Sequence, residues 1–150
     1  KKILKMNFEV TFNTKWSDFD PNRHMRHTAY NDYAAEVRVR FFQKQGLSIN
    51  EFAKLNIGPI LFKEETSFLK EIHIGENITV NMTLEESSKE LERWKFNHQI
   101  FNEKGKLSAE IKVYGAWIDL QKRKLTSLPS AYQHIFYDLP KSENFKEIIL

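Results

Sequence analysis

The run Asp18-Phe19-Asp20-Pro21-Asn22-Arg23-His24-Met25-Arg26-His27-Thr28-Ala29-Tyr30-Asn31-Asp32-Tyr33 passes from a polar loop straight into a helical pattern. Pro21 disfavours helical backbone before it, so residues 17–26 read as loop. From Thr28 to Gln45, Tyr30, Ala34, Val37 and Phe41 recur every three or four residues, the stripe of one helix that Gly46 stops. Tyr33 flanks the stripe, while Val39 and Phe42 lie away from it, which predicts a helix covered on more than one side. A carboxylate, Asp20, and two histidines, His24 and His27, thus stand at the start of a long helix. Amides in the first helical turn have no intrahelical acceptor and can hold an oxyanion. A carboxylate facing them can attack a carbonyl or activate water.

On the N-terminal side, residues 6–13 alternate, with Met6, Phe8, Val10 and Phe12 on one face, and predict a half-buried strand. On the C-terminal side, Ile49 to Leu55 reads as a short helix or turn, and Gly58 to about Lys122 as four strands. Their shared faces are Ile60, Phe62, Glu64, Thr66 and Phe68; then Ile78, Val80, Met82 and Leu84; then Trp94, Phe96, His98 and Ile100; then Ile111, Val113 and Trp117. Hairpin-like links at 74–77, 87–90 and 102–105 predict antiparallel neighbours. Pro129 opens a short helix over about 130–137, and the last ten residues read as a loose polar tail. Strand, long helix, four antiparallel strands and short helix make an α+β layer. With 150 residues and no repeat, linker or low-complexity stretch, one domain over 1–150 is expected.

A net charge of +3 without a basic stripe argues against nucleic acid. The absence of cysteine excludes disulfides, thiolate catalysis and Cys-ligated metal, and suits a reducing cytoplasm, the expected location. No apolar run reaches membrane-spanning length, and the opening Lys1-Lys2-Ile3-Leu4-Lys5-Met6 lacks the apolar core of a signal peptide. Twelve Phe, five Tyr and three Trp would fill a core or line an acyl pocket equally well.

Asp18 to Tyr30 resembles the signature of hotdog-fold acyl-CoA thioesterases of the hydroxybenzoyl-CoA thioesterase type: an Asp-x-Asp pair, then Gly-His, then Asn, then a Tyr in the opening turns of the helix. Phe68-Leu69-Lys70-Glu71-Ile72-His73-Ile74-Gly75-Glu76 is similar to the family's strand-turn after the helix, and Tyr114-Gly115-Ala116-Trp117-Ile118-Asp119-Leu120 to its last long strand. The resemblance implies a hotdog fold, a long central helix wrapped by a curved antiparallel sheet, and paired domains with active sites at the interface. It implies that Asp20 is the catalytic carboxylate and that the backbone amide of His27 polarises the thioester carbonyl. His24 matches the family's loop histidine. Two positions depart from the pattern: Arg23 stands where Gly is common, and His27 where Asn is common. Glycine permits positive φ and close approach of a ligand, and arginine does neither easily.

Each candidate has a plain structural alternative. Asp20 before Pro and Asn is also good turn chemistry, and Asp18 reads as a loop or capping residue. His24 would orient Asp20 or the attacking water, or hydrogen-bond the loop backbone. Met25, Tyr30 and Tyr33 are candidates for the substrate wall, with core packing the alternative. Glu36 is a second candidate carboxylate, because some related hotdog enzymes use a helix carboxylate; its alternative is an ion pair with Arg40. Arg93 and Arg123, the latter within the basic turn Lys122-Arg123-Lys124, are candidates for the CoA phosphates. His24 and His27 are three apart, with Asp20 available as a third ligand, but no spacing joins His73, His98 or His134 to them; no metal and no cofactor is expected. The expected activity is hydrolysis of acyl-CoA to free acid and CoA by a homodimer or homotetramer. Its alternatives are a thioesterase acting on acyl carrier protein, docked as an acidic partner on the basic face, and a non-catalytic acyl-binding or assembly domain.

Overall fold

The computed structural model describes residues 8–150, so Met6 and Asn7 of the first expected strand lie outside the described residues. Helix α1 spans His27–Lys44 and buries Ala29, Tyr30, Ala34, Val37, Phe41 and Phe42, the predicted stripe widened by its flank. Gly46 ends it at a φ of 91°, where a side chain would be strained. Around α1 come β1 (Phe8–Phe12), α2 (Ile49–Leu55), β2 (Ile57–Phe68), β3 (Ile78–Ser88), β4 (Arg93–Phe101), β5 (Leu107–Asp119), β6 (Lys124–Leu125), α3 (His134–Asp138) and β7 (Lys141–Ile148).

The strands form one curled sheet in the order β1-β3-β4-β5-β2, antiparallel throughout this path. Val80, Met82, Leu84, Phe96, Ile100, Ile111, Val113 and Trp117 join the α1 residues in one buried cluster. Phe42 of α1 meets Phe96 and Trp117 edge-on, at 6.0 and 5.4 Å between centroids. Burial of each such side chain stabilises the fold by about 1.5–3 kcal/mol. Gly115 lies opposite Trp94. A Cβ there would come within 2.4 Å of the Trp94 ring and of the Ile60 carbonyl, so only glycine lets the indole lie across β5. The polar positions of the central strands are ion-paired instead: Lys95 lies 3.5 Å from Glu85 and 3.3 Å from Glu86, and Lys112 lies 3.2 Å from Glu85.

Four expectations need correction. The link after β2 does not fold it back on β3: β2 pairs with β5 at the end of the sheet order, and residues 69–77 cross to β3. A bulge between Leu61 and Lys63 breaks the shared face of β2 and leaves Phe62 exposed. The stretch after Pro129 is a 3-10 turn (Ser130–Tyr132) followed by α3, whose Ile135 and Phe136 are buried. The expected tail is a strand. Among the described residues, antiparallel β1 pairs Ile78–Met82 of β3, and β7 pairs in parallel from Leu84↔Lys141 to Ser88↔Ile148. β7 is mostly polar, with only Ser142, Phe145 and Ile148 partly covered, so apolar alternation could not announce it.

Candidate functional site

Asp18 ties the loop to the helix. Its Oδ2 accepts hydrogen bonds from the Lys15 amide (3.1 Å) and the Tyr33 hydroxyl, and its carbonyl accepts from the Arg26 amide (2.9 Å). Burial and the Asp18 carboxylate push the Tyr33 hydroxyl pKa well up. Tyr33 braces the loop through Asp18 and does not line the cleft beside the loop. Buried Phe19 and Met25 pair across the loop and close it.

Within that closure the Arg23 amide donates to the Asp20 carbonyl (2.9 Å) and the Asp20 amide donates to the His24 carbonyl (2.9 Å). Pro21 stands second in this turn, and Arg23 follows it at a φ of 64°. A tight turn followed by one left-handed residue is a favoured hairpin closure, and glycine is the usual residue there. Arg23 therefore holds a backbone angle that is costly for a residue with a side chain. Oδ1 of Asp20 accepts from the Asn22 amide (2.9 Å) and the His24 amide (3.2 Å). Among the described residues, Oδ2 makes no hydrogen bond.

Helix α1 begins at His27, and its N-cap, Arg26, caps no amide with its side chain. The guanidinium turns away, with Nε donating to the Ser17 carbonyl (2.8 Å) and Nη1 to the Thr28 hydroxyl. The first-turn amides stay free of a side-chain cap, while the His27 imidazole is exposed. Beside the loop lies a cleft of about 490 Å³ lined by His24, Met25, Tyr30, Phe68, Leu69 and Glu71, among others. Tyr30 meets Phe68 edge-on at 5.1 Å. Burial, then the Glu71 and Asp20 carboxylates, raise its hydroxyl pKa, so it faces the cleft as a neutral donor. The structure thus brings His24, Met25 and Tyr30 together on one cleft, with Asp20 hydrogen-bonded to the His24 backbone and not itself in the cleft wall.

Other expected residues stand apart. Glu36 is exposed and paired with Arg40 at 2.8 Å, its plain alternative. Arg93 pairs with Ala116, its guanidinium 5.8 Å above the Phe62 ring, and Arg123 sits in the turn after β5, where Asp119 accepts its amide. Ile60 pairs with Ala116 and Phe68 with Ala109, so these arginines lie toward the Ile57 end of β2 and the loop toward its Phe68 end.

Sequence reasoning missed two features. Glu71 and His73 come beside His24: Nε2 of His24 is 3.1 Å from Glu71, and the His24 and His73 rings are 5.0 Å apart. Spacing along the chain could not reveal this, because strand pairing makes the contact; the ground for expecting no metal therefore fails. The second is a mainly apolar cavity of about 480 Å³ lined by Phe42, Leu47, Phe52, Trp94, Phe96 and Leu120, with Arg38 in its wall. Fully buried His98 donates from Nδ1 to the Asn81 carbonyl (2.8 Å), so its Nε2 accepts from Arg38 (3.2 Å). Burial, helped by the Arg38 charge, pushes the His98 pKa down to about 3. The run Trp94-Phe96-His98-Ile100 was the available signal for a buried histidine.

Among the described residues no helix is long and apolar enough to cross a membrane. No curated protein matches the chain in sequence. Solved structures do match in fold. A Staphylococcus aureus protein characterised in complex with CoA is 23% identical, with a TM-score of 0.84, over 100% of this chain and 98% of that one. A 1,4-dihydroxy-2-naphthoyl-CoA thioesterase from Synechocystis is 20% identical, with a TM-score of 0.79, over 89% of this chain and 98% of that one. A DHNA-CoA thioesterase from Staphylococcus aureus is 21% identical, with a TM-score of 0.77, over 87% and 88%. The curled antiparallel sheet is that of a hotdog fold. A family model for the thioesterase-like superfamily matches residues 14–136, which include the Asp20 loop, α1 and β2 to β5, and the chain belongs to that superfamily.

Proposed function

We propose that the protein hydrolyses an acyl-CoA thioester, with Asp20 as nucleophile or general base and the His27 amide as oxyanion donor. The observation that carries this reading is the two-amide grip on Oδ1 of Asp20, which leaves Oδ2 without a partner among the described residues, in the loop that runs into a helix start with no side-chain cap. A fixed carboxylate loses little freedom on reaching the transition state, and preorganised amides favour the oxyanion over the ground-state carbonyl. His24 contributes through its amide, which fixes Asp20. The CoA complex of a structural neighbour supports CoA as the carrier.

We also infer a homodimer joined by antiparallel pairing of β2 with β2. This strand ends the sheet order and exposes Leu61 and Phe62. Two-fold pairing would set the Ile57 end of one copy against the Phe68 end of the other. The apolar cavity, Arg93 and Arg123 of one protomer would then approach the Asp20 loop of its partner, offering room for the acyl group and cations for the CoA phosphates.

Asp20→Asn retains the acceptor that grips the turn and loses the reactive carboxylate. Its kcat/KM on acyl-CoA, followed by free thiol release, should fall on the order of 10²–10⁴-fold with an unchanged melting temperature. A variant as active as the wild type would overturn the role of Asp20. If the wild type releases no thiol across an acyl-CoA panel yet retains ligand, the domain is a binder.

A further inference from the structure

The segment around His24 pairs with the link that follows β2. The Met25 amide donates to the Ile72 carbonyl (2.8 Å), and the Ile74 amide donates to the Arg23 carbonyl (2.9 Å). These two bonds flank the pair His24↔His73, which has no backbone hydrogen bond between its own two members. At such positions opposed side chains come closest, and the two imidazoles lie 5.0 Å apart between centroids. Glu71 precedes His73 by two residues and so shares its face of the extended chain. Its Oε2 is 3.1 Å from His24 Nε2. One donor atom from each residue lies within 4.8 Å of the other two.

Two imidazoles and one carboxylate are a donor set that zinc and its neighbours accept. Ligand atoms at about 2.0–2.1 Å from a tetrahedral ion lie about 3.3 Å from one another. The His24–Glu71 separation already matches that edge. The wider separations close by side-chain rotation, which Glu71 and His73 are free to make because both are exposed. The backbone pairing fixes the three Cα atoms and leaves only rotamers to adjust.

We propose that His24, Glu71 and His73 form a three-ligand site for a divalent transition-metal ion of the zinc class, with water completing the coordination. The ion would bolt the Asp20 loop to the link after β2, since the His24 amide also holds Oδ1 of Asp20. Ion binding by these three side chains does not require that the protein hydrolyse a thioester, and its test reads ion uptake alone.

Chelator-stripped full-length protein is titrated with Zn²⁺ by calorimetry and with Co²⁺ by visible absorption. The expected result is one ion per chain and the ligand-field bands of a low-coordinate nitrogen–oxygen site. His73→Ala and Glu71→Gln should each weaken uptake by about tenfold or more. His134→Ala, a change at an exposed histidine outside the cluster, should leave uptake unchanged. Circular dichroism confirms that each variant is folded. Absence of stoichiometric uptake by the wild type, or uptake unaltered in His73→Ala, overturns the site.

Discussion

Arg23 keeps a left-handed backbone angle at the tip of the loop that carries Asp20. Left-handed geometry costs an L-residue on the order of 1–2 kcal/mol, part of which glycine recovers. Arg23→Gly should raise stability in urea denaturation by about 0.5–1 kcal/mol; an unchanged or lower stability would show that the loop is not strained there. The departure was legible in sequence, but its meaning was not, because φ follows from the turn that Pro21 and the Asp20 carbonyl build. His98 gives the second prediction at this scale. Its folded pKa of about 3 lies below the ordinary value near 6.5. Between these values the unfolded chain binds a proton that the folded chain refuses, so stability is full above the upper value and falls as pH drops through the window. The His98 share of the slope is up to about 1.4 kcal/mol per pH unit. His98→Gln should flatten stability against pH from 6.5 to 4.5 by that amount, whereas equal slopes would place the histidine in contact with solvent.

At the scale of elements, legibility followed the density of apolar signal. Helix α1 was readable almost to the residue, because Tyr30, Ala34, Val37 and Phe41 all face the core. The central strands were readable for the same reason: Ile78, Val80, Met82 and Leu84 are all at most 1% exposed. Edge elements were not. β2 presents few buried side chains, and its bulge resets the alternation at the point where Phe62 turns outward. β7 holds its place through backbone pairing with β3, for which side-chain type gives almost no sign. The Asp20 loop was found through its signature, while its anchors, the Tyr33–Asp18 bond and the Met25–Ile72 bond, depend on elements meeting across the fold. The His24, Glu71 and His73 cluster belongs to the same class of hidden contact: it needs the link to cross beside the loop, not to turn back as a hairpin.

For the whole molecule, the proposed dimer would decide how the site is completed. One chain holds its cavity and its loop toward opposite ends of β2, and pairing through β2 would bring the cavity of one chain to the loop of the other. Light scattering coupled to gel filtration should give twice the chain mass of 17.9 kDa, or a multiple of that dimer. Leu61→Asp combined with Phe62→Asp should yield monomers that keep their circular dichroism but lose turnover. Monomeric wild type, or an active monomeric variant, would refute pairing through β2. The shared edge of β3 has a different consequence, one of timing. Leu84 to Ser88 acquire their neighbour only from residues more than fifty positions further along, and Ile78 to Met82 must recruit theirs from as far back. A ribosome-bound chain that has just delivered β3 to β5 therefore carries a half-bare strand edge, and the sheet can be sealed only after Ile148 has cleared the exit tunnel. Pauses in translation between β5 and β7 would prolong that exposure, making chaperone demand during synthesis a property written into the topology.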